Sequence, residues 1–185
     1  MHEFMRRGTL LVAAAALATS GLAIVVATPA GAATPVQTCK KYSGKGTITP
    51  GLSTTPKDQV IKATVTYTSC TPSAKTGGGG VATVTLKIKQ GSCQGLIKGG
   101  QTIPIPSARV KWKNGKTSTY HLTSKTGTGS AATVATITGT VSKGLFATKH
   151  VTGKLNVKTP SSENCTPGHD VKHITLTQAA PWVIK

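Results

Sequence analysis

From Ile61 onward, apolar side chains fall at every second position. Ile61, Ala63, Val65 and Tyr67 alternate with Lys62, Thr64, Thr66 and Thr68, and Ala82, Val84, Leu86 and Ile88 alternate with Thr83, Thr85, Lys87 and Lys89. Ala108, Val110 and Trp112 are interleaved with Arg109, Lys111 and Lys113, and Val151, Leu155 and Val157 with Thr152, Lys154, Asn156 and Lys158. Successive side chains of a strand point to opposite faces, so this period means antiparallel strands with one buried and one wet face. Helical spacing is nearly absent, and a chain with 32 Thr and 21 Gly is a poor helix former. Thr is β-branched and sits well on an exposed pleat. Further strands are expected near 43–49, 117–123, 132–141 and 171–177, giving eight or nine. Short strands between Gly, Pro and Ser turns predict an all-β, antiparallel β-sandwich, immunoglobulin-like or related, over residues 33–185.

The first 32 residues read differently. Arg6 and Arg7 precede an almost wholly apolar run, Leu10 to Val26, which Pro29 breaks before Ala30-Gly31-Ala32. That layout predicts a secretory signal peptide over 1–32, cleaved after Ala32 or Ala33. No charged stop-transfer flank follows the run, and no Cys ends it, which argues against a membrane anchor or a lipoprotein. Loss of Glu3, Arg6 and Arg7 would lower the formal charge from +18 to +17.

Cys39, Cys70, Cys93 and Cys165 all follow the leader, and an even count in an exported chain reads as two disulfides. Three pairings are possible. Cys39 and Cys70 are equidistant from the middle of the Pro50–Gln59 turn region, so a hairpin there sets them face to face. Cys39–Cys70 is therefore favoured, leaving Cys93–Cys165, each worth roughly 3–4.5 kcal/mol on the chain-entropy argument. The spacings contain no zinc motif.

Asn114-Gly115 is the sharpest turn signal. A two-residue turn would place Tyr120 and Leu122 on the wrong face. A three-residue loop over Asn114–Lys116 pairs Trp112 with Ser118, Val110 with Tyr120 and Ala108 with Leu122, and burial favours it. Arg109, Lys111, Lys113, Thr119 and His121 then share the outer face. Gly77–Gly80 reads as a flexible connection, and Pro104 and Pro106 flank a loop or an edge. A short echo relates Gly46–Thr55 to Gly139–Thr148; both end a strand at a Gly-Leu turn.

Charge and the shortage of acids bound the function. The chain has 22 Lys and Arg against 4 Asp and Glu, and past the leader only Asp58, Glu163 and Asp170 remain as acids. A hydrolase needs placed acids or a nucleophile with a base. Glu163 and Asp170 could approach each other near Cys165, yet Pro160–Asp170 reads as a surface connection. His169, Asp170 and His173 form a small cluster without a third good metal ligand. Gly115-Lys116-Thr117 lacks the upstream Gly of a phosphate loop, no G-x-S-x-G element exists, and Asn164-Cys165-Thr166 is discounted as a glycosylation acceptor because its Cys is bridged. Arg109 is the only Arg past the leader, and Trp112, Tyr67 and Tyr120 read as core, which disfavours specific nucleic-acid recognition. Tyr42 and Trp182 are the free aromatic candidates for a sugar platform.

Several elements together resemble a known group. They are Cys39 followed by Gly46-Thr-Ile-Thr-Pro-Gly-Leu-Ser-Thr-Thr-Pro56, the Thr-Ser-Cys70 strand end, Gly91-Ser-Cys93-Gln-Gly95, Val110-Lys-Trp-Lys-Asn-Gly-Lys-Thr-Ser-Thr119, and Gly139-Thr-Val-Ser-Lys-Gly-Leu-Phe146. With these, the chain resembles small exported actinobacterial proteins rich in Thr, Gly and Ser, with similarly spaced cysteines and no assigned activity. The resemblance covers most of 39–177 and implies no functional residues. The expectation is a monomeric, exported or envelope-associated protein without enzymatic activity or cofactor. It would bind anionic cell-envelope polymer or lipid headgroups through Arg109, Lys111, Lys113 and His121. A secreted inhibitor or protein-interaction module, using the Glu163–His169 loop, is the first alternative; a cell-wall hydrolase is the second.

Overall fold

A computed structural model describes residues 36–128 and 133–185; the expected leader lies outside the described residues. Eight strands are seen among them: β1 (Gln37–Leu52), β2 (Lys57–Thr71), β3 (Gly80–Gly91), β4 (Thr102–Trp112), β5 (Thr117–Thr126), β6 (Val134–Gly144), β7 (His150–Lys158) and β8 (Val171–Ile184). Two short helices interrupt them, α1 (Ser73–Thr76) and α2 (Cys93–Lys98). Every strand pairs antiparallel with its sequence neighbours, and β8 pairs back onto β1.

The sheet therefore closes into a barrel, which corrects the expected sandwich. Alternation is common to both architectures, so the difference lies in the last strand. The strand expected near 171–177 is the first half of a longer one, Val171–Ile184, which runs through Ala179-Ala180-Pro181. In the structure β8 passes this stretch through register shifts against β7, with Pro181 on the exposed side. Trp182, Val183 and Ile184 then pair with Cys39, Thr38 and Gln37. Together with Val171 on Leu52 and His173–Thr177 on Thr47–Ser43, these pairs close the seam and remove the free edges a sandwich would keep.

The hairpin of β1 and β2 forms about the expected centre, with Cys39 opposite Cys70 and Ile48 opposite Ile61. Both disulfides are formed as favoured, Cys39–Cys70 with Cα atoms 3.9 Å apart and Cys93–Cys165 with 5.7 Å. They are consistent with an oxidising, extracellular environment.

The β4–β5 hairpin is a three-residue loop, but two residues out of the expected register. Val110 faces Ser118 and Ala108 faces Tyr120, so the loop is Lys113–Gly115. Gly115 takes the left-handed conformation (φ 82°) that closes such a loop. Asn114 anchors the turn, accepting from the Lys116 amide at 3.1 Å and donating to the Lys75 carbonyl of α1 at 2.6 Å. A shift of two keeps every side chain on its face, so the expected inside and outside survive.

Residues Gly77–Gly80, expected as a flexible link, are instead a packed connection. A Cβ on Gly80 would lie 2.8 Å from Cε3 of Trp112, and one on Gly153 would lie 2.5 Å from Cε3 of Trp182. Glycine here seats the two indoles. Around them Tyr42, Tyr67, Tyr120 and Phe146 form a chain of tilted and edge-on rings with centroids 5.4–6.3 Å apart. Geometry of this kind adds to the stabilisation from buried area. Trp112 Nε1 donates to Ser118 Oγ at 2.8 Å, and Ser118 Oγ donates to the Leu145 carbonyl at 2.5 Å, so these buried polar atoms are satisfied. This plugs the end of the barrel where β1 begins and β8 finishes. The opposite end carries a smaller cluster of Ile48, Leu52, Cys93 and Val171.

Candidate functional site

Three features carry chemistry: the outer wall of β3–β6, the loop before β8, and the barrel interior. On the wall, Arg109 lies between Thr83 of β3 and Thr119 of β5, and Lys111 between Val81 and Thr117. Consecutive outward residues on a strand are about 7 Å apart. Arg109, Lys111 and Lys113 thus form a short cationic row at the surface, and exposed His121 stands on the adjoining strand. The structure brings these four onto one exposed face. Val81, 40% exposed, is the large apolar side chain left open among the described residues. It borders a shallow hollow with Thr66, Gly80, Lys111 and Lys113.

No Asp or Glu occurs between Asp58 and Glu163, a stretch carrying fourteen Lys and Arg. Strands β3 to β7 lie wholly inside it. The strands of the wall themselves therefore carry no carboxylate, and Asp58 of β2 reaches only the Gln90 end of β3, which distinguishes the wall from an ordinary mixed-charge surface.

All three acids sit toward the other end. Asp58 accepts from the Gln90 amide at 3.1 Å, joining β2 to β3. Glu163 is held in a clamp at the start of β8. Oε2 accepts from the amides of Lys172 and His173, both at 2.7 Å, and Oε1 lies 2.5 Å from His173 Nδ1. The His173 contact holds the Glu163 carboxyl below its ordinary pKa; the two amides assist and partial desolvation opposes. The clamp and the Cys93–Cys165 bridge both fasten the loop over 159–170. His169 turns away to the Ser162 carbonyl, with Nδ1 at 3.2 Å. The His169, Asp170 and His173 cluster is thus divided, and no group of three potential metal ligands occurs among the described residues.

Tyr42 and Trp182, the free aromatic candidates for a sugar platform, are not exposed. Tyr42 is 5% exposed and Trp182 3%, both within the aromatic plug. Tyr42 Oη reaches the carbonyls of Lys154 and Ala180, where β7 and β8 slip register, and burial pushes its pKa up to about 12. Both rings lie outside the strands expected from alternation, 43–49 and 171–177, which left them unassigned to the core. Their inward direction depends on the closing seam.

The interior was not anticipated. Below the plug lies a cavity of about 200 Å³, walled by aliphatic side chains such as Ile61, Val84, Leu86, Ile105, Leu122 and Ile137. Tyr67, Tyr120 and Trp182 form its floor. Burial raises the Tyr120 hydroxyl well above its usual range. Among the described residues, Tyr120 Oη and Trp182 Nε1 have no hydrogen-bond partner. Eight-stranded barrels are just wide enough to be filled by side chains or to hold one small ligand. Here small residues, Ala63, Ala82, Ala108 and Ala135, face inward and leave space. Their size was the available signal in the sequence. No protein-family model matches this chain, and no curated protein or solved structure matches it.

Proposed function

We propose that this chain is an exported, monomeric, non-catalytic barrel. It docks through its β3–β6 wall on anionic polymer or lipid headgroups of the cell envelope. The observation that carries the reading is the unbroken run of fourteen cations without an acid between Asp58 and Glu163. The alternating pattern turns many of them outward. A low-dielectric barrel wall bearing one sign of charge attracts polyanions at long range. A basic residue near an anionic membrane contributes about 1 kcal/mol. The non-catalytic part is supported by the acids: Glu163 is engaged in a clamp and Asp58 in a strand contact.

The test is retention of the purified chain on envelope fragments and on phosphatidylglycerol vesicles across a salt series. Binding should weaken steeply as salt rises. Replacing Arg109, Lys111 and Lys113 together by Ala should lower it about a hundredfold, by the same per-residue figure. Retention that is absent, or indifferent to salt and to these substitutions, overturns the proposal.

A further inference from the structure

We propose that the barrel interior is a binding site for the apolar chain of one monoanionic amphiphile, a medium-length carboxylate. The chain would pass between β3 and β4. This site is separate from the outer wall and stands whether or not that wall binds polyanions.

The cavity's lining, depth and access carry the argument. An aliphatic cavity of about 150 Å³ stays dry and accepts benzene, so one of about 200 Å³ encloses roughly eight carbons. A longer chain would project outward. The way in is a break in the barrel wall. Pairing of β3 with β4 runs from Gly80–Trp112 to Val84–Ala108 and stops. Beyond it, among the described residues, Thr85–Gly91 pairs with β2 and Thr102–Ser107 with β5, and not with each other. Pro104 and Pro106 lie in the unpaired part of β4, where neither can donate a ladder hydrogen bond. The inward residues of β3 reflect the break: Ala82 is buried, whereas Val84, Leu86 and Ile88 stay partly accessible although they line the cavity. Apolar side chains half-open to an interior with a lateral gap favour a ligand that can cover them.

Charge at the gap selects the head. Lys87 and Lys89 are exposed and alternate with Leu86 and Ile88 on this stretch of β3, Lys98 ends α2 in the connection from β3 to β4, and the carboxylate met there is Asp58, which accepts from the Gln90 amide. Polar side chains from Ser92, Gln101, Ser124 and Thr126 join the lining at this end. The lining thus runs from aromatic floor through aliphatic wall to a polar rim near lysines, which is the profile of an amphiphile with an anionic end.

The test uses the disulfide-bonded chain with decanoate, decanol and phosphatidylglycerol vesicles. Calorimetry should show one decanoate per chain, with decanol weaker because it lacks the charge. ω-Bromodecanoate should quench fluorescence from Trp182 at the cavity floor, and Trp182→Phe should remove that component. Leu86→Trp places an indole in the cavity and should weaken decanoate at least about tenfold. Ile103→Trp, from the opposite side of the gap, does the same if Leu86→Trp does not fold. The triple Ala variant of Arg109, Lys111 and Lys113 should keep decanoate binding while losing vesicle retention, which separates this site from the wall. Decanoate bound only as part of a vesicle would assign the chain to a lipid rather than a free acid. Absence of decanoate binding in both forms overturns the proposal. So does binding at many equivalents, or binding unchanged by either cavity-filling variant.

Discussion

The two ends of the barrel are built from the same alternating strands and behave as opposites. At the end holding Trp112 and Trp182, inward positions carry aromatic rings, glycines accept their faces, and a disulfide ties β1 to β2. At the other end, inward positions are aliphatic or Ala, the β3–β4 ladder is missing, and closure falls to a disulfide and a carboxylate clamp. One end supplies packing density; the other leaves space. Local stability should follow that division, since few buried contacts and open backbone mark the regions that open first.

The largest effect should come from the plug. Trp112→Ala is expected to lower unfolding stability by about 3–5 kcal/mol, because it leaves a cavity and removes the donor to Ser118. Leu86→Ala in the hollow half should lower it by only about 1 kcal/mol, its side chain being already partly accessible. Urea midpoints for the two variants measure the contrast; equal losses would erase it.

Removing either disulfide by paired Ser substitution should subtract roughly 3–4.5 kcal/mol, as both close long loops. The two should differ in place. Without Cys93–Cys165, amide exchange should accelerate in α2 and over 159–170 while the aromatic end stays protected; loss of Cys39–Cys70 should loosen the plug.

A smaller contrast comes from adding one or two carbons at each end. Gly153→Ala drives a methyl against Trp182 and should destabilise by about 1–3 kcal/mol. Ala135→Val, facing the cavity, should change stability by less than about 0.5 kcal/mol. Thermal transitions of the pair decide it.

The subtlest prediction concerns pH. The Glu163 carboxyl lies below its ordinary 4.5 in the folded chain. The clamp's contribution is therefore complete above that value and fades as pH falls through the lowered one. Exchange at the Lys172 and His173 amides should rise on acidification, and Glu163→Gln should flatten that dependence with little change in global melting.

Much of this division was legible and some was not. Strand positions and the outward direction of Arg109, Lys111, Lys113 and His121 follow from alternation, which a two-residue error leaves intact; the cysteine pairing follows from the centre of the β1–β2 hairpin and from elimination. The β4–β5 register shows that tolerance: Trp112, Val110 and Tyr120 are buried as expected although their partners moved. Pro104 and Pro106, which flank a loop or an edge by sequence, lie inside β4 where the β3–β4 ladder fails. The barrel itself was hidden, because alternation does not say which strands pair: His173–Thr177, inside the expected strand, lie on β1, and Trp182–Ile184 extend that joint. The cavity was hidden for a related reason. Val84 and Leu86 alternate in the same way whether the space beyond them is filled or open, and period says nothing about volume.

The closing seam has a further consequence for how the chain finds its shape. Along the barrel, each strand meets the one just before and just after it, so nearly all pairing is achieved by local hairpins. The exception is the joint of β1 with β8, where Val36 donates to the Ile184 carbonyl at 2.8 Å. Among the strand pairings, that joint alone must gather distant parts of the chain, and loop closure makes such pairings slow. Trp182 belongs to it, so the aromatic plug is completed only when the ring of strands is. The molecule is in effect a ribbon with a single clasp, and the densest packing lies under the clasp.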